Sequence, residues 1–214
     1  MAASAAQVTA WIEAFAAAVA EHKVALTDLD RAIGDGDHGI NMDRGMRAVV
    51  EKLGGTTADD AGGLLRTVGM TLLSKVGGAS GPLYGTFFIE MGKAAGSSAE
   101  LSDVDLVSAV DAGVAGVQKR GRAEPGDKTM VDALLPARDA LREAVDGGAD
   151  LATALARAAD AAERGRDATE PLVARKGRAS YLGERSAGHV DPGATSTALL
   201  FRTAATAFSA PASP

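Results

Sequence analysis

Cysteine is absent from this chain of 214 residues, and that absence excludes several kinds of site. Without thiols the chain can form neither a disulfide nor a redox motif, and it cannot hold an iron–sulfur cluster or a thiolate zinc site. A metal site would have to use harder ligands, chiefly oxygen. A chain without disulfides also suits a cytoplasmic protein, and we expect that location here.

Aromatic residues and positive charge are scarce as well. Aromatics make up only 4% of the chain, and the net charge is −6, so the composition argues against nucleic acid as a partner. No hydrophobic run is long enough to cross a membrane. The apolar N-terminal stretch contains Glu13 and lacks a basic leader, which predicts an amphipathic helix rather than a signal peptide.

The chain is instead rich in small and aliphatic residues: 46% of it is apolar, and glycine alone contributes 26 residues. Such a composition favours helices that pack closely. Apolar residues recur at helical spacing in eight segments, and no alternating run indicates a β-hairpin. The sequence therefore predicts an all-α fold, a single domain over 1–214 in which eight helices form an antiparallel bundle. The predicted helices begin near Ser4, His38, Thr57, Ser80, Ser102, Thr129, Asp150 and Gly193.

The first helix is predicted to end near His22, and the connection after it carries a dense acidic cluster. Asp30, Asp35 and Asp37 fall within eight residues, with glycines between them that allow the backbone to fold tightly. Carboxylates held close together repel one another, so a folded cluster needs protonation or a bound cation. A hard divalent ion such as Mg²⁺ fits an all-oxygen set and keeps open positions for phosphate oxygens. A solvated turn is the alternative that the residues alone leave open.

Two other loop classes can be weighed against a magnesium site. A calcium loop of the helix–loop–helix type needs a bidentate glutamate at its twelfth position, and counting from Asp35 that position is Met46. The glycine spacing from Gly34 to Gly39 matches a dinucleotide fingerprint, but Asp35 and Asp37 would repel a pyrophosphate unless a metal intervened. Neither a Walker phosphate-binding loop nor the protein-kinase residue set occurs. The acidic loop therefore predicts a metal–phosphate site.

Alternation of helix direction would bring every second connection to the same end of the bundle. These connections are the acidic loop, Gly77–Gly81, Gly121–Thr129 and the long segment that ends at Asp191–Gly193. The helix starts at Gly39 and Ser80 would present unpaired backbone N–H groups there, which bind phosphate well. We therefore expect a single site at one end, in which a diphosphate lies between metal and backbone amides.

Four longer stretches resemble the nucleotide-binding L subunit of the dihydroxyacetone kinases, in the same order along the chain. They are IGDGDHGINMDRG (33–45), MTLLSKVGGASGPLYGTFF (70–88), AEPGDKTMVDAL (123–134) and ARKGRASYLGERSAGHVDPGATS (174–196). The likeness spans about Trp11 to Leu200, and four ordered motifs are far more specific than one short pattern. The resemblance implies an eight-helix barrel with a nucleotide bound at one end.

The resemblance also implies roles for individual residues. It implies that two Mg²⁺ ions are held by Asp30, Asp35 and Asp37. It implies an ADP or ATP site formed by His38, Gly39, Ile40, Asn41, Ala79, Ser80, Gly121, Met130, Arg178, Asp191, Pro192 and Gly193. Arg178 would also stabilise the charge of the transferred phosphoryl group, and no residue is expected to act as general base or nucleophile.

Two modes of action are known for proteins that this chain resembles. In one, the domain is fused to a dihydroxyacetone-binding domain and exchanges ATP freely. In the other, it is a separate subunit of a phosphotransferase system and keeps ADP as a coenzyme. A phosphohistidine-carrying M subunit rephosphorylates that ADP, and the γ-phosphoryl group then passes to dihydroxyacetone on the K subunit. Because the chain contains only the nucleotide-binding half, we expect the second mode.

Other functions remain open at the level of sequence. A free-standing nucleotide domain could exchange ATP as a kinase domain does, or act as a regulatory adaptor that reports its nucleotide state to a partner. A related kinase domain that acts on fatty acids is a third option, which the closeness of all four motifs disfavours.

Overall fold

Capping residues set the starts of several helices in the computed structural model, which describes residues 3–55 and 60–209. Helices begin after Ser4, Ser102 and Asp150 as predicted, and each of these side chains caps its helix by accepting a backbone N–H of the first turn. Over the described ranges the chain forms nine α-helices. They are α1 (Ala5–Glu21), α2 (Lys23–Ile33), α3 (His38–Gly54), α4 (Ala61–Lys75), α5 (Ser80–Ala95), α6 (Asp103–Gly121), α7 (Val131–Asp146), α8 (Leu151–Asp167) and α9 (Pro192–Ser209).

Two of the predicted helix starts differ in detail. Thr57 lies outside the described residues, and α4 is capped instead by Asp60, whose side chain accepts the N–H of Gly63. The Asp132 carboxylate accepts the N–H of Thr129, as a capping box requires. The Thr129 hydroxyl, however, accepts the N–H of Val131, so α7 begins one residue later than a full box would place it.

Short additional elements complete the chain. The strands β1 (Ala3–Ser4) and β2 (Glu100–Leu101) pair antiparallel, with Ala3 opposite Leu101. A 3-10 helix (Arg178–Ser186) lies in the long segment between α8 and α9. None of the helices in the described ranges is long and apolar enough to cross a membrane.

Eight of the α-helices form a closed ring around one apolar core. Each helix packs on the next in the order α1, α3, α4, α5, α6, α7, α8, α9, and α9 packs on α1 to close the ring. The Trp11 indole N–H donates to the carbonyl oxygen of Leu200 at 2.9 Å across this last contact. Phe15, Phe88 and Phe201 are among the buried side chains of the core. The predicted all-α, eight-helix barrel is therefore confirmed.

The helix α2 was missed by the sequence analysis, which placed the acidic loop directly after the first helix. The chain turns at His22 and forms a further helix that packs outside the ring, against α3. Its buried residues are Leu26, Thr27, Asp30 and Ile33, spaced as one helical face. Because two of these four are polar, the apolar periodicity that would have predicted the helix is not visible.

Candidate functional site

The four polar connections meet at one end of the ring, where they line a single open cavity of about 160 Å³. The lining residues come from the α2–α3 loop, the α4–α5 loop, the end of the α6–α7 loop and the segment between α8 and α9. The sequence-based prediction that these connections share one end of the bundle is therefore confirmed.

Three carboxylates form one wall of the cavity. Asp30 is at the end of α2, and Asp35 and Asp37 lie in the following loop; one oxygen from each lies within 4.8 Å of the others. The loop needs its glycines, because a Cβ at Gly34 would overlap the Asp30 carboxylate, and Gly36 adopts a left-handed φ of +72°. The tight Asp/Gly loop therefore brings the three side chains together.

The nearly buried Asp30 carboxylate has a second role, at the start of α3. Its Oδ2 atom accepts the backbone N–H groups of Asp37 at 2.8 Å and His38 at 3.0 Å. Within the described ranges, the Asp37 side chain makes no capping bond of its own. Asp30 thus caps α3 in place of Asp37 and leaves the Asp37 carboxylate free to face the cavity.

The carboxylate cluster fits a hard divalent cation. Its donors are all oxygens, and three like charges so close together are unfavourable unless a cation lies among them. Arg178, from the segment opposite, supplies part of this counter-charge, since its Nε lies 2.9 Å from Asp35 Oδ2. Arg178 itself is largely exposed, so one guanidinium at the mouth does not balance three carboxylates.

A buried chain of hydrogen bonds runs behind the carboxylates. His38 Nδ1 lies 3.0 Å from Ser80 Oγ, and His38 Nε2 lies 2.9 Å from Ser196 Oγ, so one imidazole joins α3, α5 and α9. The hydroxyl of Tyr84 lies 2.7 Å from the same Ser196 oxygen. His38 is therefore a buried residue and not one of the solvated surface. The imidazole holds Ser80, at the start of α5, in a fixed orientation.

Burial lowers the pKa of His38 to about 4, outweighing the neighbouring Asp30 and Asp37, which raise it. In the unfolded chain this histidine binds a proton near pH 6.5, whereas in the fold it stays neutral down to about pH 4. The free energy of unfolding should therefore be highest above pH 6.5 and fall as the pH decreases toward 4, because protonation favours the unfolded chain. The loss should reach about 3 kcal/mol at pH 4. Urea unfolding of wild type and His38→Asn, without nucleotide, checks this. Equal pH dependence in the two proteins would contradict it.

Most of the residues predicted to bind nucleotide line this cavity or its neighbour. His38, Ala79, Ser80, Met130, Arg178, Asp191, Pro192 and Gly193 line the cavity itself. Gly121 lines an adjoining pocket of about 270 Å³. The two share a wall that includes Ala79, Leu83 and Met130, so together they form one elongated space.

Three predicted residues of the α3 start lie outside the lining of both pockets. Gly39 packs against α2, where a Cβ would overlap the carbonyl oxygen of Lys23. Ile40 is 47% exposed. Asn41 accepts a hydrogen bond from Arg44 and lies beside Gly77, so it supports the glycine-rich turn before α5.

Several residues that line the cavity were not predicted as site residues, and Lys128 is the least expected of them. Lys128 lines it yet is only 1% exposed. It follows the turn Glu124–Asp127, where a lysine is ordinarily solvated, so no local pattern indicates its burial.

The chain is similar to known proteins in both sequence and fold. Residues 32–206 match the DAK2 domain. The chain belongs to the DAK2 domain family. This membership confirms the relationship that the four sequence motifs indicated.

Two bacterial relatives of this DAK2 domain are similar to it over most of their own lengths. The chain is 49% identical over 177 residues to the PEP-dependent dihydroxyacetone kinase, ADP-binding subunit DhaL, of Escherichia coli K12, covering 83% of this chain and 84% of that one. It is 44% identical over 203 residues to the PTS-dependent dihydroxyacetone kinase, ADP-binding subunit DhaL, of Lactococcus lactis, covering 90% and 92%. These relatives are named as kinase subunits.

A solved structure shares the fold of this DAK2 domain. The dihydroxyacetone kinase of C. freundii in complex with AMP-PNP and Mg²⁺ superposes with a TM-score of 0.73 at 28% identity. The match covers 98% of this chain and 35% of the C. freundii chain. The helical ring therefore corresponds to about a third of that larger kinase.

Proposed function

We propose that this chain is the ADP- and ATP-binding subunit of a dihydroxyacetone kinase, a single cytoplasmic domain that relays a phosphoryl group. The observation that carries the proposal is the position of the aspartate cluster. Asp30, Asp35 and Asp37 line the same cavity as Ala79 and Ser80, at the start of a helix. A relative 49% identical to this chain is named as an ADP-binding subunit, which supports the same ligand here.

The three carboxylates would hold Mg²⁺, which we propose to be two ions. When bound, Mg²⁺ neutralises the charge that develops on phosphate oxygens during transfer. The remaining work falls to the chain itself. Asp30 is already fixed by two backbone N–H groups, while Asp35 and Asp37 face the cavity and are able to adjust to the cation.

The start of α5 would hold the phosphates. Within the described ranges α5 has no side-chain cap, because alanine occupies the capping position at Ala79. The first N–H groups of a helix lack intrahelical partners and lie at the positive end of its dipole, so they bind anions well. Ser80, oriented by His38, would add its hydroxyl to this group of donors.

The adjoining pocket would hold the base and ribose. Its lining is mainly apolar and includes Leu83, Val117 and Met130, with Gly121 at a point where a Cβ would lie 3.2 Å from Leu83. Apolar walls that enclose a flat ring, next to a polar phosphate site, are typical of nucleotide pockets. The nucleotide would therefore extend from the adjoining pocket to the carboxylates.

The chain would act by positioning and charge neutralisation rather than by acid–base chemistry. Phosphoryl transfer through a loose transition state mainly requires that the reacting groups be aligned and that negative charge be stabilised. The buried His38 imidazole has both nitrogens within hydrogen-bond distance of serine hydroxyls, so it orients groups and does not need to transfer protons. Arg178, now paired with Asp35, would approach the transferred phosphoryl group.

The proposed mode is that of a coenzyme-bound subunit in a phosphotransferase system. ADP would stay bound, a phosphohistidine-carrying M subunit would rephosphorylate it, and the resulting ATP would phosphorylate dihydroxyacetone on the K subunit. Names of relatives as PEP-dependent and PTS-dependent kinase subunits support this mode over free exchange of ATP.

Native mass spectrometry of the purified protein tests the ligand. We expect the mass of the chain plus one nucleoside diphosphate and two Mg²⁺ ions, and we expect treatment with EDTA to release the nucleotide together with the metal. Recovery of the bare chain after gentle purification in Mg²⁺, with no binding of added ADP, would refute the proposal.

A reconstituted assay tests the mode. With the K subunit and dihydroxyacetone, turnover should require phosphorylated M subunit and should continue after free nucleotide is removed. Turnover that instead depends on added ATP and ignores the M subunit would assign the chain to the ATP-exchanging mode.

A further inference from the structure

The buried Lys128 has an unusual set of partners. Its Nζ donates to the backbone carbonyl oxygens of Thr169 at 2.7 Å and Glu170 at 3.2 Å, and also to that of His189. An ammonium group has three protons, and these three carbonyls use all of them. Although Lys128 lines the cavity, it has no donor left for a phosphate. The role of Lys128 therefore depends on the segment that carries these three carbonyls.

The three carbonyls belong to the two ends of one segment. Thr169 and Glu170 follow α8 directly, and His189 comes shortly before α9. A single ammonium thus joins the beginning and the end of the stretch 168–191 and fastens both to the α6–α7 loop. We call this arrangement the lysine clasp: Lys128 with the carbonyls of Thr169, Glu170 and His189.

Further hydrogen bonds reinforce the clasp. The Gly188 N–H donates to the Glu170 carbonyl at 2.8 Å, and the Asp191 N–H donates to Thr169 Oγ1 at 2.9 Å. On the other side, the Arg175 N–H donates to the carbonyl of Asp127, which precedes Lys128. The stretch 168–191 is therefore closed into a loop whose base is held at several points.

The backbone at the clasp is in an uncommon conformation. Lys128 has a φ of +63°, in the left-handed region that residues other than glycine rarely occupy. Holding a non-glycine residue there is energetically unfavourable. Burial of an ammonium is also unfavourable, and it lowers the pKa of Lys128 despite the nearby Asp191. The left-handed backbone and the buried ammonium are both unfavourable, which indicates that the fold holds Lys128 in this position for a reason other than stability.

The clasped segment carries a large part of the proposed nucleotide site. Arg178 lies in its middle and reaches Asp35 at 2.9 Å, and its end delivers Asp191, Pro192 and Gly193 to the cavity. We propose, on the basis of the nucleotide site proposed above, that Lys128 is a positioning residue: it holds the stretch 168–191 closed over the nucleotide without touching it. The aspartate cluster lies on α2 and the α2–α3 loop, outside the clasp.

Two substitutions separate geometry from charge. Lys128→Met keeps the aliphatic stem and removes all three donors, whereas Lys128→Arg keeps the charge but replaces the compact ammonium with a planar fork that does not match three converging carbonyls. We expect both to weaken Mg–ADP binding by about tenfold or more, because the segment must then be ordered when the nucleotide binds. Lys93→Met, on the exposed surface of α5, is the matched control and should leave binding unchanged.

The measurements are the affinity for a fluorescent ADP analogue in Mg²⁺ and the affinity for Mn²⁺ alone, by electron paramagnetic resonance. Mn²⁺ affinity should stay within about threefold of wild type, because the three carboxylates lie outside the clasp and the Arg178–Asp35 pair that joins them to the clasped segment is largely exposed. A parallel loss of Mn²⁺ and ADP binding would overturn the proposal, since it would indicate general disruption. Full ADP affinity in Lys128→Arg would also overturn it, since charge alone would then be sufficient.

Hydrogen exchange of the wild-type protein tests the clasp even if a variant fails to fold. With no nucleotide present, the Gly188 and Asp191 amides should exchange slowly, as for a preformed loop. Fast exchange of both would overturn the inference. A chain that binds no ADP but shows these protected amides would refute the proposed function, while the lysine clasp would still be present. Failure of the proposed function can therefore be distinguished from failure of the clasp.

Discussion

Replacement of Asp37 by asparagine is expected to abolish the retention of ADP through purification. The substitution removes one of three carboxylates whose oxygens lie within 4.8 Å of one another, and a neutral amide is a much weaker ligand for Mg²⁺. Loss of a group that supports a metal ligand commonly costs about 10–100-fold in affinity. We expect loss of a ligand itself to weaken Mg–ADP binding by at least about 100-fold, as measured by calorimetry.

The fold should survive this change, because Asp30 rather than Asp37 caps α3. The asparagine keeps the backbone N–H that Asp30 accepts and nearly the same volume. Asp28→Asn is the matched control: Asp28 lies on α2 and pairs with Arg31 on the exposed surface. The control should bind ADP as wild type does. Unchanged ADP affinity in the Asp37 variant, at equal thermal stability, would show that the cluster does not hold the metal.

Replacement of Gly39 by alanine is expected to have the largest effect on stability. A Cβ at this position would overlap the carbonyl oxygen of Lys23 and lie 2.6 Å from Thr27 Oγ1, both on α2. A backbone carbonyl cannot rotate away, so α2 must move from α3. Overpacking of this kind typically costs 1–3 kcal/mol, and we expect about 3 kcal/mol here because the clash is with backbone.

The same displacement should weaken metal binding. Asp30 lies on α2 and caps α3, so separation of the two helices would pull one carboxylate away from the cluster. Gly54→Ala serves as the control on the same helix, since no described atom lies within 4 Å of a Cβ there. It should be neutral or stabilising by up to about 1 kcal/mol. Equal unfolding free energies for the two variants would contradict the assignment of Gly39 to helix packing.

Features of the site that depend on local sequence could be predicted. The aspartate loop was evident because its carboxylates and glycines are neighbours in the chain, and α8 begins after Asp150 as predicted because Asp150 caps it locally. The common end of the four connections followed from alternation of helix direction alone. These inferences required no knowledge of distant contacts.

Features that depend on distant partners could not be predicted. Burial of His38 depends on Ser196, 158 residues away, and burial of Lys128 depends on backbone carbonyls 41 to 61 residues away. The helix α2 was missed for a related reason, because Thr27 and Asp30 are buried by the helix and loop that they contact. A polar residue gives no sign in the sequence that it will be enclosed.

The contact that closes the ring has a practical consequence for these experiments. Trp11 is the only tryptophan of the chain, and its indole is held between α1 and α9, with the ring of Phe88 centred 6.0 Å away. It is not among the residues that line the cavity. Intrinsic fluorescence should therefore report whether the barrel is intact while remaining insensitive to ligand, so that each variant can be checked for correct folding in the same cuvette in which nucleotide affinity is measured.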